Sequence, residues 1–431
     1  MSRLLSLTVL LSLLMFSACS RNENPIPSNV KSFEDEDRLA IYALYAKSQG
    51  DINSTISLYE LLYEKSNKLE YRNEELIAML QSKQFERALQ KIDVYKSKLD
   101  ADTTDMMLER FKIAALVELK EYEKAKSTAL ALAEETQAAQ EYQQIAAIYM
   151  IQGRYEFALR YLERAYTIDY DEQILDKMAI ILYVNLNRKA EAISHLETHM
   201  RLHGCSETIC MRLGSFYSEE NNVEGMLRIY LRLYDNTKDE KYAASVVKLY
   251  SYKKETIPLI QFLEKSGTDD KLLLQLYINT RNYPKVVTLG EKLYKEEDDP
   301  YYLGQSAIFE YEGAKDKKDT EILAAVITKL KHVLELSDDP TYLNYLGYLL
   351  IDHEIDVKGG IAYVKKALEQ EKESPFYLDS LAWGYYKQGK CTKALKLMQK
   401  VRKNLGKDDP EVTAHFKAIK ECIKQKKEKK Q

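Results

Sequence analysis

From Phe33 onward, apolar residues recur at spacings of three and four, and short polar turns interrupt them roughly every 15–20 residues. That period lays one apolar stripe along each of a succession of helices. The period-two alternation of a half-buried strand is almost absent. Two segments show the pattern most fully. In 139–170, Tyr142, Ile145, Ala146 and Tyr149 lead to Gly153, and Ala158, Leu162 and Ala165 follow. In 375–407, Leu378, Leu381, Ala382 and Tyr385 lead to Gly389, followed by Ala394, Met398 and Val401 at the same offsets. Each segment predicts a helix, a tight turn at the Gly and a second helix folded back on the first. Small residues let the two helices approach closely, and large ones fill the gap to the next pair. The Gly supplies the left-handed backbone that ends the first helix.

Further copies keep fewer marks. Segment 340–373 has Leu346, Gly347, Val364 and Ala367, with Gly360 in place of the second-helix Ala after a one-residue insertion, and 207–237 has Leu213, Gly214, Tyr217 and Tyr230. Weaker copies occupy 39–67, 69–100, 105–135, 171–203, 241–267 and 269–298, and 300–337 is irregular, its turn lengthened by Gly313 to Thr320. The shared pattern resembles the tetratricopeptide repeat, and at about 34 residues per unit the stretch from Leu39 to Lys407 holds about eleven. The resemblance implies an all-α fold, a right-handed α-solenoid of about eleven helix hairpins. A helix starting at Glu411, rich in lysine toward its end, would cap the last hairpin with a polar face. The expected organisation is 1–18 leader, 19–32 tether, 33–240 N-terminal block, 241–337 divergent repeat-like units, and 338–431 C-terminal block with the capping helix and a Lys-rich tail.

Composition fits this reading. Gly (15) and Pro (8) are scarce in 431 residues, less than half the usual combined share of about 12%, which argues against turn-rich sheet folds and disordered tracts. Lys and Arg number 63 against 67 Asp and Glu, a net charge of −4. No basic excess is available to neutralise phosphates, so nucleic acid is not an expected partner.

The N-terminus reads as an address. Arg3 precedes the mainly apolar run Leu4 to Phe16, thirteen residues that rise only about 20 Å as a helix, too short to span a bilayer of about 30 Å. The following Phe16-Ser17-Ala18-Cys19 resembles the lipobox of bacterial lipoproteins, with Phe16 standing where Leu is usual. The resemblance implies cleavage before Cys19 and its acylation, and several acyl chains would make attachment to the membrane stable. By the same resemblance, Ser20 after the Cys favours the outer membrane, on its periplasmic face. Residues 20–32, with Pro25 and Pro27, read as an extended spacer.

Catalytic chemistry is not expected. His195, His199 and His203 recur at i, i+4 and i+8 but lack a carboxylate partner of the HExxH kind, and they read as packing and surface residues. No phosphate loop, nucleophile elbow or kinase set occurs, so no cofactor, metal or small-molecule substrate is expected. In an oxidising compartment the four remaining cysteines invite pairing. Cys391 opens the second helix of the last hairpin and Cys422 lies near the end of the capping helix, which makes them neighbours in an antiparallel arrangement. Cys205 and Cys210 flank a helix start. Free buried thiols are the alternative for both pairs.

In this repeat family the groove is lined by positions two, five, nine and twelve of each first helix. In the last two units these are Thr341, Asn344, Tyr348 and Ile351, then Phe376, Asp379, Trp383 and Tyr386. Asn344, Tyr348, Asp379, Trp383 and Tyr386 are the candidate partner-binding set. Trp383, the single tryptophan, and Tyr348 form an aromatic shelf that either anchors a partner or packs against the capping helix. The Lys-rich tail, 424–431, reads as a solvated helix end. The expected function is a non-catalytic, lipid-anchored periplasmic scaffold for protein partners in envelope assembly or export, with polysaccharide or peptidoglycan binding as the rival.

Overall fold

The computed structural model describes residues 31–100, 103–405 and 409–428. Cys19 and most of the tether lie outside the described residues. Among the described residues there are 23 α-helices and no strand. They pair into eleven antiparallel hairpins, from α1 (Glu36–Ser48) with α2 (Ile52–Ser66) to α21 (Pro375–Lys387) with α22 (Cys391–Leu405), and α23 (Pro410–Glu428) follows alone. The chain forms two compact units, 1–239 and 240–431. The first holds six hairpins; the second holds five and α23. In each unit every hairpin packs on the next, so the fold is an all-α repeat array. No described helix is long and apolar enough to cross a membrane.

Local chemistry starts the helices. Asp339 Oδ1 accepts from the Thr341 amide at 2.7 Å and Asp299 Oδ1 from Tyr301 at 2.9 Å, each just before a Pro whose fixed φ suits the first helical turn. Asp51, Asp171 and Asp319 cap their helices in the same way.

In ten of the eleven hairpins the chain passes between the paired helices through one left-handed residue; the longer connection from Gly313 to Thr320 has none. Gly50, Gly153 and Gly389 fill that place as the sequence pattern leads one to expect, but Lys83, Lys120, Asn187, Asn221, Lys254, Arg281 and Glu354 adopt the same backbone at φ between 53° and 61°. Packing of the hairpin, not the turn residue, imposes the geometry.

Close approach recurs inside the hairpins. Ala146 of α7 (Ala139–Ile151) and Ala158 of α8 (Tyr155–Asp169) are both fully buried. In α19 (Pro340–Asp352) and α20 (Val357–Gln370) the corresponding contact is made by Gly347 and Gly360, with no space for a side chain at either.

One departure is specific. The left-handed Asn187 follows the first residue of α9 (Glu172–Ile180) by 15 positions, one more than in the hairpin of Gly153. The extra residue is absorbed as a π-turn at Ile181–Asn185, where the Leu186 amide bonds to the Ile181 carbonyl at 2.9 Å. The irregular stretch 300–337 still folds as a hairpin, α17 (Pro300–Gly313) with α18 (Thr320–Leu336), since Leu323, Val326, Leu330 and Val333 form an uninterrupted apolar face.

The tyrosines join the layers. Phenol hydroxyls donate to carboxylates in the pairs Tyr277–Glu264 (2.6 Å), Tyr183–Glu220 (2.7 Å), Tyr345–Glu312 (2.7 Å), Tyr95–Glu75 and Tyr217–Glu197. Burial first, and the adjacent carboxylate second, pushes these phenols up, that of Tyr217 to about 12. Each ring fills apolar space while its hydroxyl finds a partner.

Candidate functional site

The groove positions of the last two hairpins come from α19 and α21, and Pro340 and Pro375 set the same register in both. Asn344 and Tyr348 project from α19; Asp379, Trp383 and Tyr386 from α21. Thr341 and Phe376 are exposed. Ile351 departs from the expected pattern: it is fully buried with Leu343, Ile361 and Val364, because it faces α20 instead of the groove.

Trp383 is the centre of the cluster. Its indole N–H donates to Asp352 Oδ1 at 2.8 Å, and its ring stacks on Tyr386, with centroids 4.7 Å apart. The Lys387 ammonium lies 5.3 Å from the indole centroid and bonds to Glu354 at 2.8 Å. The aromatic shelf is therefore assembled, and its outer side is covered by α23. The His415 imidazole stacks on Trp383 at 4.0 Å with planes 16° apart, and His415 Nδ1 lies 2.9 Å from Asp379 Oδ2. In that contact the ring N–H donates and the carboxylate oxygen accepts. Tyr348 donates to Glu411 Oε1 at 2.5 Å; burial and that carboxylate hold its phenol far above the usual range. Of the five candidates, Tyr348, Asp379 and Trp383 touch the last helix. Asn344 is partly buried with its Oδ1 unbonded, and Tyr386 touches Trp383.

Glu411, His415 and Asp352 complete the cluster, and the groove positions alone do not reveal them. The available signal is on α23, where Glu411 and His415 are four residues apart beside the apolar set Val412, Phe416 and Ile419.

The structure pairs Cys391 with Cys422, Cα atoms 6.1 Å apart, and Cys205 with Cys210, Cα atoms 5.6 Å apart. His199 is buried, with Nδ1 2.7 Å from the Tyr166 hydroxyl and Nε2 3.2 Å from Glu172; the His203 ring stacks on it. These contacts tie α8 and α9 to α10 (Lys189–His203). Among the described residues no group of His, Cys, Asp and Glu is arranged to hold a metal ion.

Residues 142–176 match the tetratricopeptide repeat. No curated protein sequence matches the chain. Similar solved structures include the APC/C hetero-tetramer Cut9–Hcn1, at 10% identity and a TM-score of 0.39, covering 90% of this chain and 97% of that one. Another is Naa15/Naa10 bound to HypK-THB, at 16% identity and a TM-score of 0.34; the match spans 89% of this chain and 60% of that one. The Pseudomonas aeruginosa protein pilF matches at 12% identity and a TM-score of 0.34, over 48% of this chain and 95% of its own. The chain is an all-α array of helix hairpins, of which residues 142–176 match the tetratricopeptide repeat.

Proposed function

We propose that the chain is a non-catalytic scaffold, tethered to the outer membrane by a lipid on Cys19, that holds protein partners in the periplasm during envelope assembly or export. The observation that carries the scaffold reading is the hairpin array itself, which sets one first helix after another side by side and lines them with tyrosines and charged groups. The tether rests on the leader 1–18 and the Ser-Ala-Cys that ends at Cys19. Crosslinking in intact envelopes, followed by pull-down in detergent, should return a stoichiometric protein. Retention of the chain on polysaccharide or sacculi, with no protein recovered, would replace the reading with glycan binding. The anchor has its own test: labelled palmitate should enter the wild type and not Cys19→Ser, which should persist as uncleaved precursor. Equal labelling of both would remove the lipid.

A further inference from the structure

Helix α23 makes two kinds of contact. On one face, Val412 and Ile419 enter the core of the last hairpin beside Leu378, Ala382 and Met398, as a cap must. On the adjoining face of its first turns the contacts are polar and aromatic: Glu411 receives the Tyr348 hydroxyl, and His415 stacks on the Trp383 ring and faces Asp379. Covering an apolar end does not require this second set. A carboxylate and an imidazole four residues apart occupy one helix face, so the surface reads an i, i+4 pair. Asp379 is incompletely served. It is 8% exposed, Oδ2 faces His415, and Oδ1 has no hydrogen-bond partner among the described residues. A guanidinium in the place of the imidazole would bond to both oxygens at once.

We propose that Tyr348, Asp379 and Trp383 form a receptor for an amphipathic helix bearing an acidic residue and, four residues on, a basic one; that α23 is its resident occupant; and that the Cys391–Cys422 bond decides whether α23 can leave. The nature of the guest rests on the partner-binding reading above. The release of α23 does not.

The bond joins residues 31 apart and ties the far half of α23 to the start of α22. In the chain-entropy model a loop of this size restrains the detached state by about two to three orders of magnitude. Cys391 is 2% exposed and Cys422 only partly covered, so an incoming thiolate meets the sulfur of Cys422. The reductant is a dithiol. Its first thiolate bonds to Cys422 and expels the Cys391 thiolate; its second attacks the first sulfur and expels the Cys422 thiolate. The dithiol leaves as a disulfide, having given up two electrons, and its two protons end on Cys391 and Cys422. With the bond broken, α23 is held by its noncovalent contacts alone and exchanges with a guest.

Trp383 is the only tryptophan in the chain, so its fluorescence reports the site directly. In the oxidised full-length protein, acrylamide should quench it weakly. A dithiol that frees both cysteines, counted by mass after alkylation, should make quenching strong while the helical signal falls by no more than the share of α23. Cys422→Ser should show the open behaviour without reductant. A synthetic peptide of residues 409–428 carrying His415→Arg should restore protection at lower concentration than the native-sequence peptide. Unchanged quenching with both thiols free, or melting of the hairpins in 340–405 on reduction, overturns the proposal. Equal restoration by the two peptides overturns the role given to Asp379. Since quenching requires no envelope partner, a chain that opens yet captures nothing in the pull-down refutes the partner reading alone.

Discussion

A Cβ at Gly347 would lie 2.8 Å from the Gly360 carbonyl oxygen, and one at Gly360 would lie 2.6 Å from that of Gly347. Both obstacles are backbone atoms, so α19 and α20 must part to admit a methyl group. Gly347→Ala is expected to destabilise by about 1–3 kcal/mol, seen as a lower urea midpoint at unchanged slope. The opposite sign applies at Lys120, whose φ of 61° closes a hairpin in the left-handed region. An L-residue pays roughly 1–2 kcal/mol there, and Gly returns part of that gain through its freer unfolded chain, so Lys120→Gly should stabilise by up to about 1 kcal/mol. Calorimetry would show the higher Tm, with Lys120→Ala unchanged if the backbone is the cause. The contrast also says what a residue reveals. Gly153 and Gly389 mark their turns openly, whereas Lys120 and Glu354 adopt the same backbone without any compositional sign, because the packed helices on either side leave the chain one way to reverse.

Helix starts and apolar stripes were readable from sequence because they depend on neighbours within a turn or two. The Asp-Pro pairs at 299–300 and 339–340 state both the cap and the first helical residue. The π-turn after α9 was not readable: one extra residue before Asn187 looks the same whether it widens a helix turn or lengthens a loop, and burial of Ile181 and Leu182 decides for the helix. At this scale the last helix is the most exposed to perturbation, since α23 packs on the array from one side only. Cys391→Ser removes its covalent tie without disturbing a large apolar contact. It should lower the stability of the C-terminal hairpin in oxidising buffer by about 3–4 kcal/mol in the chain-entropy model, and have little effect under dithiol. Denaturation followed by proteolysis near α23 in both buffers measures the difference; equal loss in both would mean that the thiol packs and does not bridge.

For the whole molecule, stability accumulates from one hairpin to the next, because each helix pair buries its faces only against its neighbours in sequence. Leu346 is fully buried in the second unit with Val326, Leu330 and Tyr342. Leu346→Ala should cost about 2–5 kcal/mol, and amide exchange should accelerate in the hairpins around it while residues 36–200 keep their protection. Uniform acceleration along the chain would instead indicate a single cooperative body. The sequence by itself determined that the chain is a run of about eleven helix hairpins, since a 34-residue recurrence of apolar, small and turn positions acts locally and repeats; the ends of the hairpins in the divergent stretch 241–337 it left open. It also put Tyr348, Asp379 and Trp383 at matching positions of the first helices of the last two units, whereas Ile351, expected among the groove positions, is buried against α20. Only the tertiary structure decided what meets those residues. Trp383 and Tyr348 are separated by 32 and 63 residues from His415 and Glu411, and no periodicity within either helix encodes that contact. It exists because α23 folds back over the last hairpin and brings its own acid and imidazole to the shelf.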